Sequence, residues 1–198
     1  MNIVEFFQQR AGSWISHRTS HHLIIKKAED GTSEINLEML SLPDPQVTEL
    51  CLQYGFDPAL ALCGAKVTWD GSMAWDKDKV EDKHQGFTIF VPIADGDDLQ
   101  QGKLLRHQGY AERAPVVGRY VMSPDDILSL ITEYDTVYSE EKFWFPSPDL
   151  CLRAGLTTGL SNVASFCTET RKPTEQIIDQ PDQTKDVAPV KHFSFLGG

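Results

Sequence analysis

Between positions 65 and 75 the side chains alternate. Val67, Trp69, Met73 and Trp75 fall on one face of an extended chain, and Lys66, Thr68, Asp70, Ser72 and Ala74 fall on the other. A period of two is what a half-buried β-strand imposes. Comparable segments occur at residues 13–27, 86–94, 103–113, 116–122, 127–138, 141–145, 149–156 and 161–171, with a further one at 33–39. Turn material such as Asp95-Gly96-Asp97-Asp98, Ser147-Pro148 and Gly159 separates neighbours by only a few residues. A parallel crossover needs a dozen residues or more, so consecutive strands must pair antiparallel. An up-and-down β-barrel of about ten strands closes such a series without leaving an edge exposed. The fold class is therefore all-β and antiparallel.

Two stretches depart from this period. Residues 1–10 read as a short amphipathic helix with Ile3, Phe6 and Phe7 on one side and Gly12 ending it, placed to lean on or plug a barrel end. Residues 44–54 carry Val47, Leu50, Cys51 and Tyr54 at helical spacing, with Gly55 as the stop. Ser123-Pro124-Asp125-Asp126 resembles a helix N-cap, but Ile131, Thr132, Tyr134, Val137 and Tyr138 favour a strand after it.

At 198 residues the chain can bury one good core, and a single domain over 1–171 is expected. Residues 172–198 turn to Pro, Asp, Gln and Thr and read as a flexible tail, with Phe193, Phe195 and Leu196 either docking or simply ending the chain. A net charge of −11 argues against nucleic acid or an anionic membrane as partner. The sequence has neither an 18-residue apolar run nor a signal-peptide pattern, so cytoplasmic residence is expected. Cys51, Cys63, Cys151 and Cys167 form no CxxC pair, which points to free thiols and no metal.

The first strand opens Gly12-Ser13-Trp14 after a short helix, an arrangement similar to the start of the lipocalins (calycin type). Ser16, Arg18, Ser20 and His22 continue on the face of Trp14, and a barrel interior holds an unpaired arginine only at a cost. An anionic ligand in a cavity would account for it. Trp14-Ile15-Ser16-His17-Arg18-Thr19-Ser20-His21-His22 also resembles the N-terminal block of the S-type (CpcS/CpeS) phycobiliprotein lyases. So do, in order, Trp69-Asp70-Gly71-Ser72-Met73-Ala74-Trp75, Thr132-Glu133-Tyr134 with Glu140-Glu141-Lys142-Phe143-Trp144-Phe145, Ser147-Pro148-Asp149-Leu150-Cys151-Leu152-Arg153, and Ala164-Ser165-Phe166-Cys167-Thr168-Glu169.

That resemblance implies a lipocalin-like barrel that binds a bilin such as phycocyanobilin as substrate, with no tightly bound cofactor. It implies attachment of the bilin through a thioether to a cysteine of an apo-phycobiliprotein subunit. A bilin has a conjugated apolar body, two propionates and four pyrrolic nitrogens, so its site needs aromatic surface, cations and a carboxylate. Trp14, Trp69, Met73 and Trp75 offer the surface, and Arg18 and Arg153 the cations. Alternation sets Asp149, Cys151, Arg153 and Gly155 on one face. Glu141, Glu169 and Asp149 are the acidic candidates, with Glu141 and Glu169 as catalytic groups; an internal pair of Glu169 with Arg171 competes with that role. His21 belongs to the resembling block and is the third catalytic candidate, as a donor to a propionate or an aid to proton transfer, but it alternates away from Arg18 and would need a bulge to reach the same cavity.

Cys151 and Gly155 stand where the resemblance implies an arginine and a serine or threonine. Another bilin, a different cation, or work beside a complete paralogue as a heterodimer would each accommodate the change; a homodimer is the commonest alternative. A carrier without chemistry would use the same barrel.

Overall fold

The computed structural model describes residues 1–73, 84–107, 116–133, 136–159 and 162–173. Two helices and ten strands follow in the order α1 (Ile3–Arg10), β1 (Gly12–His22), β2 (Lys27–Leu40), α2 (Pro45–Gln53), β3 (Gly64–Met73), β4 (His84–Asp95), β5 (Asp98–Arg106), β6 (Gly118–Met122), β7 (Leu128–Glu133), β8 (Tyr138–Ser147), β9 (Leu150–Thr158) and β10 (Val163–Arg171). Each strand pairs antiparallel with the next, and β10 returns to β1, so the sheet closes as a ten-strand barrel.

Several sequence boundaries move. The segment expected at 13–27 is β1 plus a turn, because Lys26 adopts φ 54° and reverses the chain so that Lys27 already belongs to β2. The weak segment at 33–39 is accordingly the longest strand, at 14 residues. The segment at 127–138 holds both β7 and the start of β8, and Ser123–Asp126 is a turn with Asp126 at φ 57°. The strand expected at 103–113 begins earlier, at Asp98, and ends at Arg106. Trp75, Tyr134 and residues 174–198 of the expected tail lie outside the described residues.

Helix α1 starts on a capping box. The Asn2 side chain accepts from the Val4 and Glu5 amides at 3.0 Å each, and Glu5 accepts from the Asn2 amide at 2.8 Å. Its Ile3, Phe6 and Phe7 enter one end of the barrel and pack with Leu37, Cys63, Leu104, Tyr120, Leu128 and Leu130, all buried. The Met1 ammonium meets Asp126 in the β6–β7 turn, so α1 closes the end at which that turn lies. Helix α2 lies outside: Asp44 caps it, and Val47, Leu50 and Cys51 cover the outward residues Ile89, Val91, Ile93 and Leu105 of β4 and β5. Helix α1 fills one end of the barrel, and a cavity remains beyond it. No helix among the described residues is long and apolar enough to cross a membrane.

Candidate functional site

The inner faces of β8, β9, β10 and β1 carry the chemistry in register. Nearest the plug, Trp14 pairs with Arg171; next come Cys151, Glu169 and Ser16; then Phe143, Arg153, Cys167 and Arg18; then Glu141, Gly155, Ser165 and Ser20. Strand pairing thus converts three separated sequence blocks into one polar wall.

That wall is an ion-pair chain. Arg10, the last residue of α1, donates to Glu169, with both side chains almost wholly buried. Arg153 lies 3.3 Å from Glu169 Oε1 through Nη2 and 3.3 Å from Glu141 Oε1 through Nη1. The same Nη2 donates to the Cys167 thiol at 3.3 Å, and the Ser16 hydroxyl donates to Glu169 at 3.3 Å. Burial alone would lower the Arg153 pKa, but Glu169 and Glu141 more than offset it and the net direction is upward. For Arg10 burial dominates over Glu169, and the direction is downward. Among the described residues, Arg10 Nη1 and Arg153 Nε remain buried donors without a hydrogen-bond partner, an arrangement that a ligand acceptor would relieve.

A cavity of about 400 Å³ adjoins this wall. Phe6, Phe7 and Arg10 form its floor, and Arg18, Trp69, Phe87, Thr88, Phe90, Arg106, Glu141, Phe143, Arg153 and Glu169 are among its walls. The Glu141 and Arg153 side chains are 29% and 21% exposed, so solvent reaches the cavity from the end away from α1. Trp69 packs on Gly86, where a Cβ would come within 2.4 Å of the indole. At Gly155 a Cβ would come within 2.6 Å of the Ser165 hydroxyl and 3.9 Å of Glu141. The missing side chain therefore leaves room for the Ser165 hydroxyl.

The sequence candidates separate clearly. Arg18, Trp69, Glu141, Arg153 and Glu169 line one cavity. Met73 ends β3 opposite Gly31, and Gly31 in turn pairs with Arg18. Trp14 does not line the cavity: it is fully buried against the plug, its Nε1 donating 2.9 Å to the Arg10 carbonyl and its ring held between the Arg10 and Arg171 guanidiniums at 4.2 and 4.3 Å.

Three readings are corrected. Asp149 is not an inner-face residue of β9: it sits in the turn before Leu150 with its side chain 74% exposed, bound by Arg171 at 3.0 Å. Arg171 consequently pairs with Asp149 and with the Gln9 and Ala11 carbonyls, not with Glu169. His21 is exposed, because β1 pairs without a bulge and keeps it opposite the face of Arg18 and Ser20.

Sequence reasoning passed over Arg10 and Arg106. Both had a signal: Arg10 extends the Ile3, Phe6, Phe7 stripe of α1 by one turn, and Arg106 follows Gly102 and Leu104 on the inner face of β5. Arg10 also answers part of the question raised by Cys151, since it supplies from the helix a cation beside Glu169, which pairs with Cys151 across β9 and β10.

A closed antiparallel barrel with one plugged end and a charged, aromatic cavity defines a small-ligand-binding barrel protein. The chain belongs to the CpeS-like protein family, whose match spans residues 2–172. It is 53% identical over 173 residues to the chromophore lyase CpcS/CpeS of Thermosynechococcus vestitus, covering 86% of this chain and 93% of that one. It is 46% identical to chromophore lyase CpcS/CpeS 2 of Trichodesmium erythraeum over the full length of both. A phycocyanobilin lyase subunit CpcS of Picosynechococcus is 45% identical and covers 87% of each chain. Among solved structures, the S-type phycobiliprotein lyase CPES from Guillardia theta superposes with a TM-score of 0.78 at 31% identity, over 88% of this chain and 95% of that one.

Proposed function

We propose that the chain is a bilin lyase that holds an open-chain tetrapyrrole, with phycocyanobilin as first choice, and directs it to a cysteine of an apo-phycobiliprotein subunit. The observation that carries this reading is the charge of the cavity. Four arginines and two glutamates line it, so its described residues hold two more cations than anions inside a protein of net charge −11. A bilin brings two propionates and a flat conjugated body, which match that surplus and the Trp69, Phe90 and Phe143 surfaces.

In this reading Glu141 is the carboxylate that faces the pyrrole nitrogens. It has one arginine partner and partial exposure, whereas Glu169 is fully buried between Arg10 and Arg153. A carboxylate there favours the protonated bilin, which withdraws electron density from the exocyclic double bond of ring A. The acceptor thiolate then adds: the S–C bond forms at the ethylidene carbon, the C=C π bond breaks, and the neighbouring ring carbon takes up the proton. No cysteine of this chain need react, since burial raises the Cys151 thiol to about 12 and moves Cys167 upward as well. Catalysis comes from holding one bilin conformation and presenting one face of ring A.

The test is to mix the protein with phycocyanobilin and an apo-phycocyanin or apo-allophycocyanin subunit and follow the covalent adduct by absorption and denaturing electrophoresis. Faster formation of a single, correctly absorbing adduct than in the spontaneous reaction is expected. Tight binding without acceleration would make the protein a carrier. The name of the Picosynechococcus relative, a lyase subunit, supports a second reading in which a paralogue is also required; activity that appears only on adding that paralogue would establish it.

A further inference from the structure

Three of the cavity arginines have other engagements: Arg10 and Arg153 are in the ion-pair chain, and Arg18 is partnered as well. Arg106 differs. Its guanidinium lies 4.9 Å over the ring of Phe90, its cross-strand neighbour, and no carboxylate among the described residues is within salt-bridge range of it. A cation–π contact uses none of the N–H donors, and among the described residues none of those on the Arg106 side chain is hydrogen-bonded.

Thr88 is a second, independent observation. It precedes Phe90 by two positions on the inner face of β4, is 8% exposed, and its hydroxyl is buried without a hydrogen-bond partner among the described residues while lining the same cavity. A buried hydroxyl in that state is costly in a folded protein unless something in the cavity pairs with it. A cation and an orphan hydroxyl on adjacent strands of one cavity wall are a chemical match for a carboxylate, which accepts from donors of both kinds. Position adds a further constraint. In the closed strand order, β4 and β5 stand four strands away from β9 and β10 in one direction or the other, across the barrel from the Arg10–Glu169–Arg153–Glu141 chain.

We infer that Arg106 and Thr88 form a carboxylate subsite that takes one propionate of the bound tetrapyrrole, on the wall opposite the ion-pair chain. This rests on the bilin reading proposed above and divides the work of the cavity. The β8–β10 wall faces the pyrrole nitrogens, and the β4–β5 wall fixes an acidic arm and so the orientation of the ligand.

The experiment compares phycocyanobilin with its dimethyl ester, in which both propionates are masked, for binding to the wild-type chain and to the Arg106→Gln and Thr88→Val variants. Loss of one charge-assisted pair predicts that R106Q binds the free acid about 10- to 100-fold more weakly, with ester affinity matching wild type. T88V removes a hydroxyl that has no partner among the described residues, so a several-fold loss for the acid is expected without loss of thermal stability. R106K is expected to recover part of the affinity for the acid. Equal losses for acid and ester in R106Q would reduce Arg106 to packing on Phe90 and overturn the subsite, as would unchanged acid binding. Failure of the wild-type chain to bind either compound would overturn the bilin reading together with it, and is thereby distinguished from failure of the subsite alone.

Discussion

Arg10 and Glu169, 159 positions apart, meet as a buried ion pair that fastens the plug helix to the last strand of the barrel. Removing one member strands the other charge in a site that water does not reach. Arg10→Met is expected to cost about 3–5 kcal/mol, and Glu169→Gln a comparable amount, because Arg153 then also loses an anion. The double variant R10M/E169Q should recover part of that loss, since no cation on α1 is then left without its partner and Arg153 keeps Glu141. Urea denaturation of the three variants measures this. Simple additivity of the two single losses would show that the residues do not act as a pair.

Glu141 presents a separable case. It shares Arg153 with Glu169 but keeps partial exposure on the cavity side. Glu141→Gln preserves shape and hydrogen-bonding reach while removing the charge that favours a protonated bilin. Adduct formation should slow by about 10²-fold, with loss of the long-wavelength band of the bound bilin and little change in its affinity. A variant with wild-type spectrum and rate would assign the carboxylate role to another group.

The packing of Trp69 on Gly86 gives a prediction about shape rather than charge. A methyl group at position 86 would start 2.4 Å from the indole, far inside van der Waals contact, so Gly86→Ala must displace the ring from its place in the cavity wall. Bilin affinity should fall by about tenfold or more, as expected for a misplaced aromatic wall. Competition binding checks this, and an unchanged affinity would place the ligand away from β3 and β4.

The strands and their inward faces were legible because alternation is a local property: Trp14, Ser16, Arg18 and Ser20 do share one face of β1, and Glu141 and Arg153 do point inward. What alternation cannot supply is register between strands. Only the pairing of Cys151 with Glu169 and of Arg153 with Cys167 stacks the wall in order, and only closure of β10 on β1 adds Arg18 to it. Asp149 illustrates the limit, since period two carried one residue past the strand end assigns it to the wrong face. Arg10 illustrates another: a cation at the end of an apolar helical stripe reads as a surface residue until tertiary packing turns that helix into the barrel floor.

The buried thiols make the fold sensitive to alkaline pH in one direction. Burial raises Cys63 and Cys151 from the ordinary 9.0 to about 12, so between those values the folded chain retains protons that the unfolded chain has released. Stability is therefore unaffected by these groups below about pH 9 and falls as pH rises through the window, at up to about 1.4 kcal/mol per pH unit for each thiol. Tyr120, raised from 10.0 to about 12 by burial and then by Asp95 and Asp98, adds to the fall above pH 10. Cys151→Ala should lower stability at neutral pH through the cavity it leaves, yet flatten the decline between pH 9 and 11. Chemical denaturation at half-unit pH steps measures both effects. A slope identical to that of the wild-type chain would show that the Cys151 thiol ionises in the folded protein as readily as in the unfolded one.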